Sequence, residues 1–251
     1  MLSTDAGSAD SLMAFRPPRL MLGKVSRRQR IVMLAAAAAL AVAAVALAVT
    51  LSGSPKKATP TVAAPARSFL AGVRQRGDTL GRADAPATLL VFEDPQCPYC
   101  RDWSVGTLPS VADMFVRTGR LKLVWEGIAI VGENSVAGLR VAYAAAQQNR
   151  LWSFVDQLYR RQGAENSGWI TEQVVQEASS AAGIDASAML EEADSVTVTS
   201  DLTRAARDAT RYGVRGTPTF VLVHPPAVPQ LLQITGLDPT TFDAELSSAL
   251  E

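Results

Sequence analysis

Phe92-Glu93-Asp94-Pro95-Gln96-Cys97-Pro98-Tyr99-Cys100 places the chain's only two cysteines three residues apart, at a junction between two patterns. Before it, residues 87–92 (ATLLVF) form a short apolar run rich in strand formers, long enough for a buried strand and too short for a typical helix. After it, residues 99–117 read as a helix. Trp103, Leu108, Val111, Ala112 and Phe115 form its buried stripe, and Pro109 is expected to kink it. The pair therefore falls between the end of a strand and the start of a helix.

Moving outward, residues 121–131 (LKLVWEGIAIV) read as a second strand. A long helical stretch follows: 135–148 is alanine-rich, 151–161 sets Leu151, Phe154, Val155 and Leu158 on one face, and two or three amphipathic segments lie between 170 and 212. Gly163, Gly168 and Gly183 punctuate them, and Gly213 stands where a helix C-cap belongs. Beyond Arg215-Gly216-Thr217-Pro218, residues 219–223 read as a strand that turns at 224–229 and pairs with 230–235 as a hairpin. Asp238 is a good N-cap with Pro239 at the first helical position, and Phe242, Leu246, Ala249 and Leu250 form the inner stripe of a last helix. The order predicts an α/β domain in which helices cover a small mixed sheet.

The cysteine count narrows the chemistry. A disulfide-stapled scaffold spreads several cysteines over distant elements. A structural zinc site needs four ligands, and His224 is the only histidine. A bridge closing so short a loop adds little stability. What remains is a pair kept for its own redox chemistry. At a helix start, unpaired N–H groups and the positive end of the helix dipole favour a thiolate, so Cys97 is expected to be an exposed nucleophile. Cys100, one turn deeper, is placed to resolve a mixed disulfide at Cys97. Pro98 falls in the first helical turn, where its missing N–H costs nothing. No cofactor, metal or phosphate-binding loop is expected, and Trp103, Trp125, Trp152 and Trp169 read as core or edge packing.

Formal net charge is zero, but unevenly spread. Residues 1–30 carry six basic and two acidic side chains, whereas residues 69–251 carry 15 basic and 22 acidic. An acidic folded part excludes nucleic acid as the main partner. Residues 31–51 (IVMLAAAAALAVAAVALAVTL) hold no charge and would reach roughly 31 Å as a helix, about one bilayer core. With Lys24, Arg27, Arg28 and Arg30 just ahead, the positive-inside rule predicts a cytoplasmic tail at 1–30, a transmembrane helix at 31–51 and the remainder outside. The alternative is a signal peptide cleaved at Ala46-Leu47-Ala48, but the apolar run is longer than such segments use. Residues 52–68, with Pro55, Pro60 and Pro65, read as an extended tether of up to about 50 Å. Residues 69–251 form the folded domain.

The stretch from Phe92 to Cys100, together with Gly213-Val214-Arg215-Gly216-Thr217-Pro218-Thr219-Phe220, resembles the thioredoxin superfamily, and within it the DsbA-like proteins of bacterial envelopes. Residues 77–86 (GDTLGRADAP) resemble the lead-in of such proteins, and the likeness covers roughly 73–251. The resemblance implies a thioredoxin fold with a helical insertion at about 132–213. It implies that Pro218 is a cis-proline beside the sulfurs, with Pro98 and Tyr99 completing the active site, and that Thr217 offers its backbone to an extended substrate strand. Partners would be protein thiols and disulfides outside the cytoplasm. With no second cysteine pair to relay electrons, a separate membrane redox partner must recharge the enzyme.

Two departures stand out. The place of a glutamate often buried six residues before the first cysteine is taken by Val91; Glu93 and Asp94 are near, but the sequence does not fix their facing, and neither is given a role. The dipeptide Pro98-Tyr99 lacks a histidine to support the thiolate, which predicts an oxidant weaker than the strongest members. Besides an oxidase, the sequence admits an anchored reductase or isomerase, and a thioredoxin-fold chaperone.

Overall fold

A computed structural model of the chain describes residues 26–28, 32 and 68–251. The expected tail, membrane helix and tether lie outside the described residues except at those margins. Among the described residues no helix is long and apolar enough to cross a membrane.

The folded unit is built on one six-stranded mixed sheet. Its strands are β1 (Gln75–Arg76), β2 (Thr79–Leu80), β3 (Ala87–Glu93), β4 (Leu121–Gly127), β5 (Thr219–Val223) and β6 (Gln230–Leu231). They lie in the order β1-β2-β4-β3-β5-β6. Only β3 and β4 run parallel, in a register pairing Val91 with Trp125 and Glu93 with Gly127. β5 lies antiparallel on the other side of β3, with Phe92 opposite Thr219. The two central strands are covered on both faces, and every residue from Val91 to Gln96 is buried.

The helix after the cysteines departs from the expected single kinked rod. It alternates α1 (Pro98–Asp102), a π-turn at Trp103–Thr107, α2 (Leu108–Val111) and a second π-turn at Ala112–Val116. Pro109, in the first turn of α2, has no N–H to donate, and the ladder just before it widens, with the Leu108 N–H reaching the Trp103 carbonyl. The widened turn buries two successive residues, Trp103 and Ser104. Trp103 packs with Phe220 of β5 and with Phe242 of the last helix, ring centroids 5.1 and 5.9 Å away.

Between β4 and β5 lie α3 (Glu133–Gln147), α4 (Leu151–Tyr159), α5 (Glu172–Ala182), α6 (Ala186–Glu192) and α7 (Val196–Tyr212). Thr171, Asp185 and Ser195 cap α5, α6 and α7 through their side-chain oxygens, and left-handed Gly183 and Gly213 close α5 and α7. α8 (Pro239–Ala249) is capped by Asp238, which accepts from the Thr241 N–H.

Three boundaries differ from the sequence expectation. β4 stops at Gly127 because, after a last bond from the Ile128 N–H to the Glu93 carbonyl of β3, the Ile130 and Val131 N–H groups leave the ladder and donate to the Asp94 carboxylate. The second hairpin strand is only Gln230–Leu231, with one further bond from the Leu232 N–H to the Phe220 carbonyl. The lead-in at 77–86 begins at the turn of the β1–β2 hairpin and includes β2, with Gly77 at φ 58° in the first of two turn positions.

Candidate active site

Cys97 is the N-cap of α1, with an extended backbone (φ −70°, ψ 120°), and Cys100 lies inside the helix. The expectation of an exposed Cys97 is corrected: it is 5% exposed, and Cys100 is wholly buried. The cover comes from the loop before β5. The Thr217–Pro218 bond is cis, and the Cys97 Sγ lies 3.2 Å from the Thr217 carbonyl, to which its thiol donates. Pro98 is half-buried, whereas Tyr99 stands out, 64% exposed. Tyr99, Val214, Pro218, Phe220, Ile234 and Leu237 line a groove of about 460 Å³ beside the pair.

The two sulfurs are electrostatically unequal. The Cys97 thiol is lowered to about 6, first by the hydrogen bond it receives from Cys100, against the cost of burial. The Thr217 hydroxyl and the backbone N–H groups of Cys100 and Tyr99 add to the lowering. Cys100 is pushed well above the ordinary thiol range, first by burial and then by the hydrogen bond it gives to Cys97.

Glu93 is a site residue the sequence did not assign. Its side chain is wholly buried. One carboxyl oxygen accepts from the Ser104 hydroxyl and the other from the Trp125 indole, each at 2.7 Å. Burial raises its pKa to about 8 against the pull of those two hydrogen bonds, and repulsion from Cys97 adds to the rise. The Glu93 charge in turn raises Cys100. Along β3, Glu93 lies two residues beyond Val91 and therefore on the same face, closer to the cysteines. Asp94 plays a different part. Its carboxylate accepts the N–H groups of Gln96, Ile130 and Val131, which binds the active-site loop to the segment after β4. Among the described residues no three His, Cys, Asp or Glu side chains are grouped to hold a metal ion.

Residues 74–225 match the model of a family described as Thioredoxin. The chain is 31% identical over 99 residues to a probable disulfide bond formation protein D from Bacillus cereus, covering 39% of this chain and 46% of that protein. It is 24% identical over 148 residues to the disulfide bond formation protein D of Bacillus subtilis, covering 56% and 65%. The chain thus spans about half to two thirds of the length of the curated relatives it matches. Among solved structures, oxidised BdbD from Bacillus subtilis superposes with a TM-score of 0.59 at 19% identity, covering 71% of this chain and 97% of that one. DsbA of Chlamydia trachomatis gives 0.56 at 19% identity, covering 68% and 88%. These likenesses show a shared α/β fold of a mixed sheet and helices.

Proposed function

Because the chain belongs to the thioredoxin family, we propose that it is an extracytoplasmic thiol–disulfide oxidoreductase that donates disulfides to envelope or secreted proteins through Cys97 and Cys100. The observation that carries this reading is the asymmetry of the pair: a low-pKa thiol at a helix N-cap, touching the carbonyl before a cis-proline, with a high-pKa thiol behind it.

In the donating direction, a substrate thiolate attacks the Cys97 sulfur of the Cys97–Cys100 disulfide. The S–S bond breaks, Cys97 is joined to the substrate, and Cys100 departs with the electron pair. A thiolate so deeply buried needs a proton at once, and Glu93, protonated near neutral pH, is the buried acid that supplies it. A second substrate thiolate then attacks the substrate sulfur of the mixed disulfide. The substrate leaves oxidised, and Cys97 leaves as a thiolate that its N-cap setting stabilises. Thr217, which lines the groove beside Tyr99, would pair there with an extended substrate strand.

A thiol near 6 lies between the values of about 7 for thioredoxin and about 3.5 for DsbA. It supports a reduction potential between about −270 and −120 mV, that is, an oxidant weaker than DsbA. The charge-free run at 31–51, with basic residues before it, supports an anchor that keeps residues 1–30 in the cytoplasm and the pair outside. A separate membrane protein would then reoxidise the pair.

Trapping tests the function. In cells, Cys100→Ser should accumulate mixed disulfides at Cys97 whose partners mass spectrometry identifies, and Cys97→Ser should form none. Absence of adducts with Cys100→Ser, or full activity in Cys97→Ser, would sink the exchange reading and favour a chaperone.

A further inference from the structure

Four consecutive residues of the active-site loop are gripped by one short segment of the helical block. Tyr159, the last residue of α4, donates its hydroxyl to the Asp94 carbonyl at 3.1 Å. Gln162, anchored by its own N–H to the Tyr159 carbonyl, donates its side-chain amide to two carbonyls: Pro95 at 2.9 Å and Cys97 at 3.1 Å. The Asn166 N–H donates to Gln96 Oε1 at 2.7 Å, and the Gln96 amide donates back to Asn166 Oδ1 at 3.3 Å and to Ser135 Oγ at 2.9 Å. Gln162 thus holds the main chain on both sides of Gln96.

This grip bears on the thiol through the conformation of Cys97. An N-cap residue ordinarily holds its extended backbone by a side-chain hydrogen bond to the first turn, and α1 has no such bond. The backbone of Cys97 is held by its N–H to the Asp94 carbonyl and by two donors on its own carbonyl, the Arg101 N–H and the Gln162 amide. Of these three, only Gln162 comes from outside the loop and its helix. In the held conformation the N–H groups of Tyr99 and Cys100 favour the thiolate.

We propose that Gln162 is a positioning residue, through which the inserted helical block holds Cys97 in the geometry its thiolate requires. The inference rests on the exchange reading above and adds a control point to it. Gln162 bonds to backbone carbonyls, so it acts through Cys97 and not on the substrate.

The test compares the full chain with Gln162→Leu and Gln162→Glu. Leucine removes both donors at similar volume; glutamate keeps the shape and sets a carboxylate against two carbonyls. Thiolate absorbance at 240 nm gives the Cys97 titration, redox equilibrium with glutathione gives the potential, and circular dichroism verifies folding. In both variants the Cys97 midpoint should rise by about one unit. The less stable thiolate should shift the glutathione equilibrium about tenfold toward the enzyme disulfide, equivalent to about 30 mV. Unchanged titration and equilibrium would overturn the proposal, including the case where only the melting temperature falls. If Gln162→Leu does not fold, Gln162→Glu, isosteric and partly solvent-exposed, decides alone. Failure of the exchange reading has a different signature: the unmodified chain itself would not equilibrate with glutathione. A wild type that exchanges beside variants identical to it condemns the positioning role only.

Discussion

At the scale of single residues, three buried groups share a few protons. The reduced chain should show a 240 nm thiolate transition centred near pH 6, absent in Cys97→Ser. The Cys97 thiol is at about 6 when folded and at an ordinary 9.0 when unfolded. Between those values the folded state binds fewer protons, so this group makes the reduced form more stable as pH rises from 6 to 9. Glu93 acts in the opposite sense. Its folded value of about 8 lies above the unfolded 4.5, so stability falls as pH rises between them. Glu93→Gln is neutral at every pH and removes that slope. Urea melts at pH 5 and pH 9 should show the wild type losing about 2–4 kcal/mol more than the variant. The same substitution should slow release of the buried Cys100 thiolate in single-turnover assays by about 100-fold. The cysteines were legible because two sulfurs three residues apart admit few other uses. Glu93 was not, because β3 is buried on both faces and no alternation reveals which way a residue points.

At the scale of elements, β4 carries an unusual arrangement around the Glu93 carboxyl. Trp125 pairs with Val91, yet its indole donates to Glu93, two pairs further along. To reach it, the ring lies across Gly127, where an added Cβ would fall 2.3 Å from two ring carbons and 2.7 Å from Leu139 Cδ2. Gly127→Ala should therefore displace the indole, leave a Glu93 oxygen without its donor and destabilise the domain by about 2–4 kcal/mol, measured by thermal or urea unfolding. Most elements followed from local pattern: Gly213 as a left-handed cap, Asp238 as an N-cap, Thr219–Val223 as a strand. The π-turns did not, because they arise from how a ladder already interrupted by Pro109 is completed in space. The β1–β2 hairpin carried a signal in Gly77-Asp78, a recognised two-residue turn, but its strands are two residues each and offer no periodicity.

At the scale of the whole folded unit, Arg204 of α7 ties the helical block to the sheet. Its guanidinium meets Glu126 of β4 and Asp78 of the β1–β2 turn, each at 2.6 Å, with Asp201 at 3.9 Å. Burial raises Glu126 to about 7 against the attraction of Arg204. Arg204→Ala leaves that carboxyl buried without its counter-charge. It should cost about 3 kcal/mol in urea melts at pH 8, and less at pH 5, where the folded Glu126 is already protonated and needs no counter-charge. Such a link joins residues 78, 126 and 204, and nothing in the local sequence marks them as neighbours. The α/β class and the helical insertion were readable from element order, whereas the contacts that unite them depend on tertiary geometry. The bare cysteine count has a consequence of another kind. In the proposed exchange, a catalyst that trades sulfur bridges risks being rewired by its own reagent, yet these 251 residues offer no third sulfhydryl for a wrong internal partner. Each half-finished turnover can then end in only two ways, onward to the client or back to the closed ring, so the chain is proofed against self-scrambling by scarcity alone.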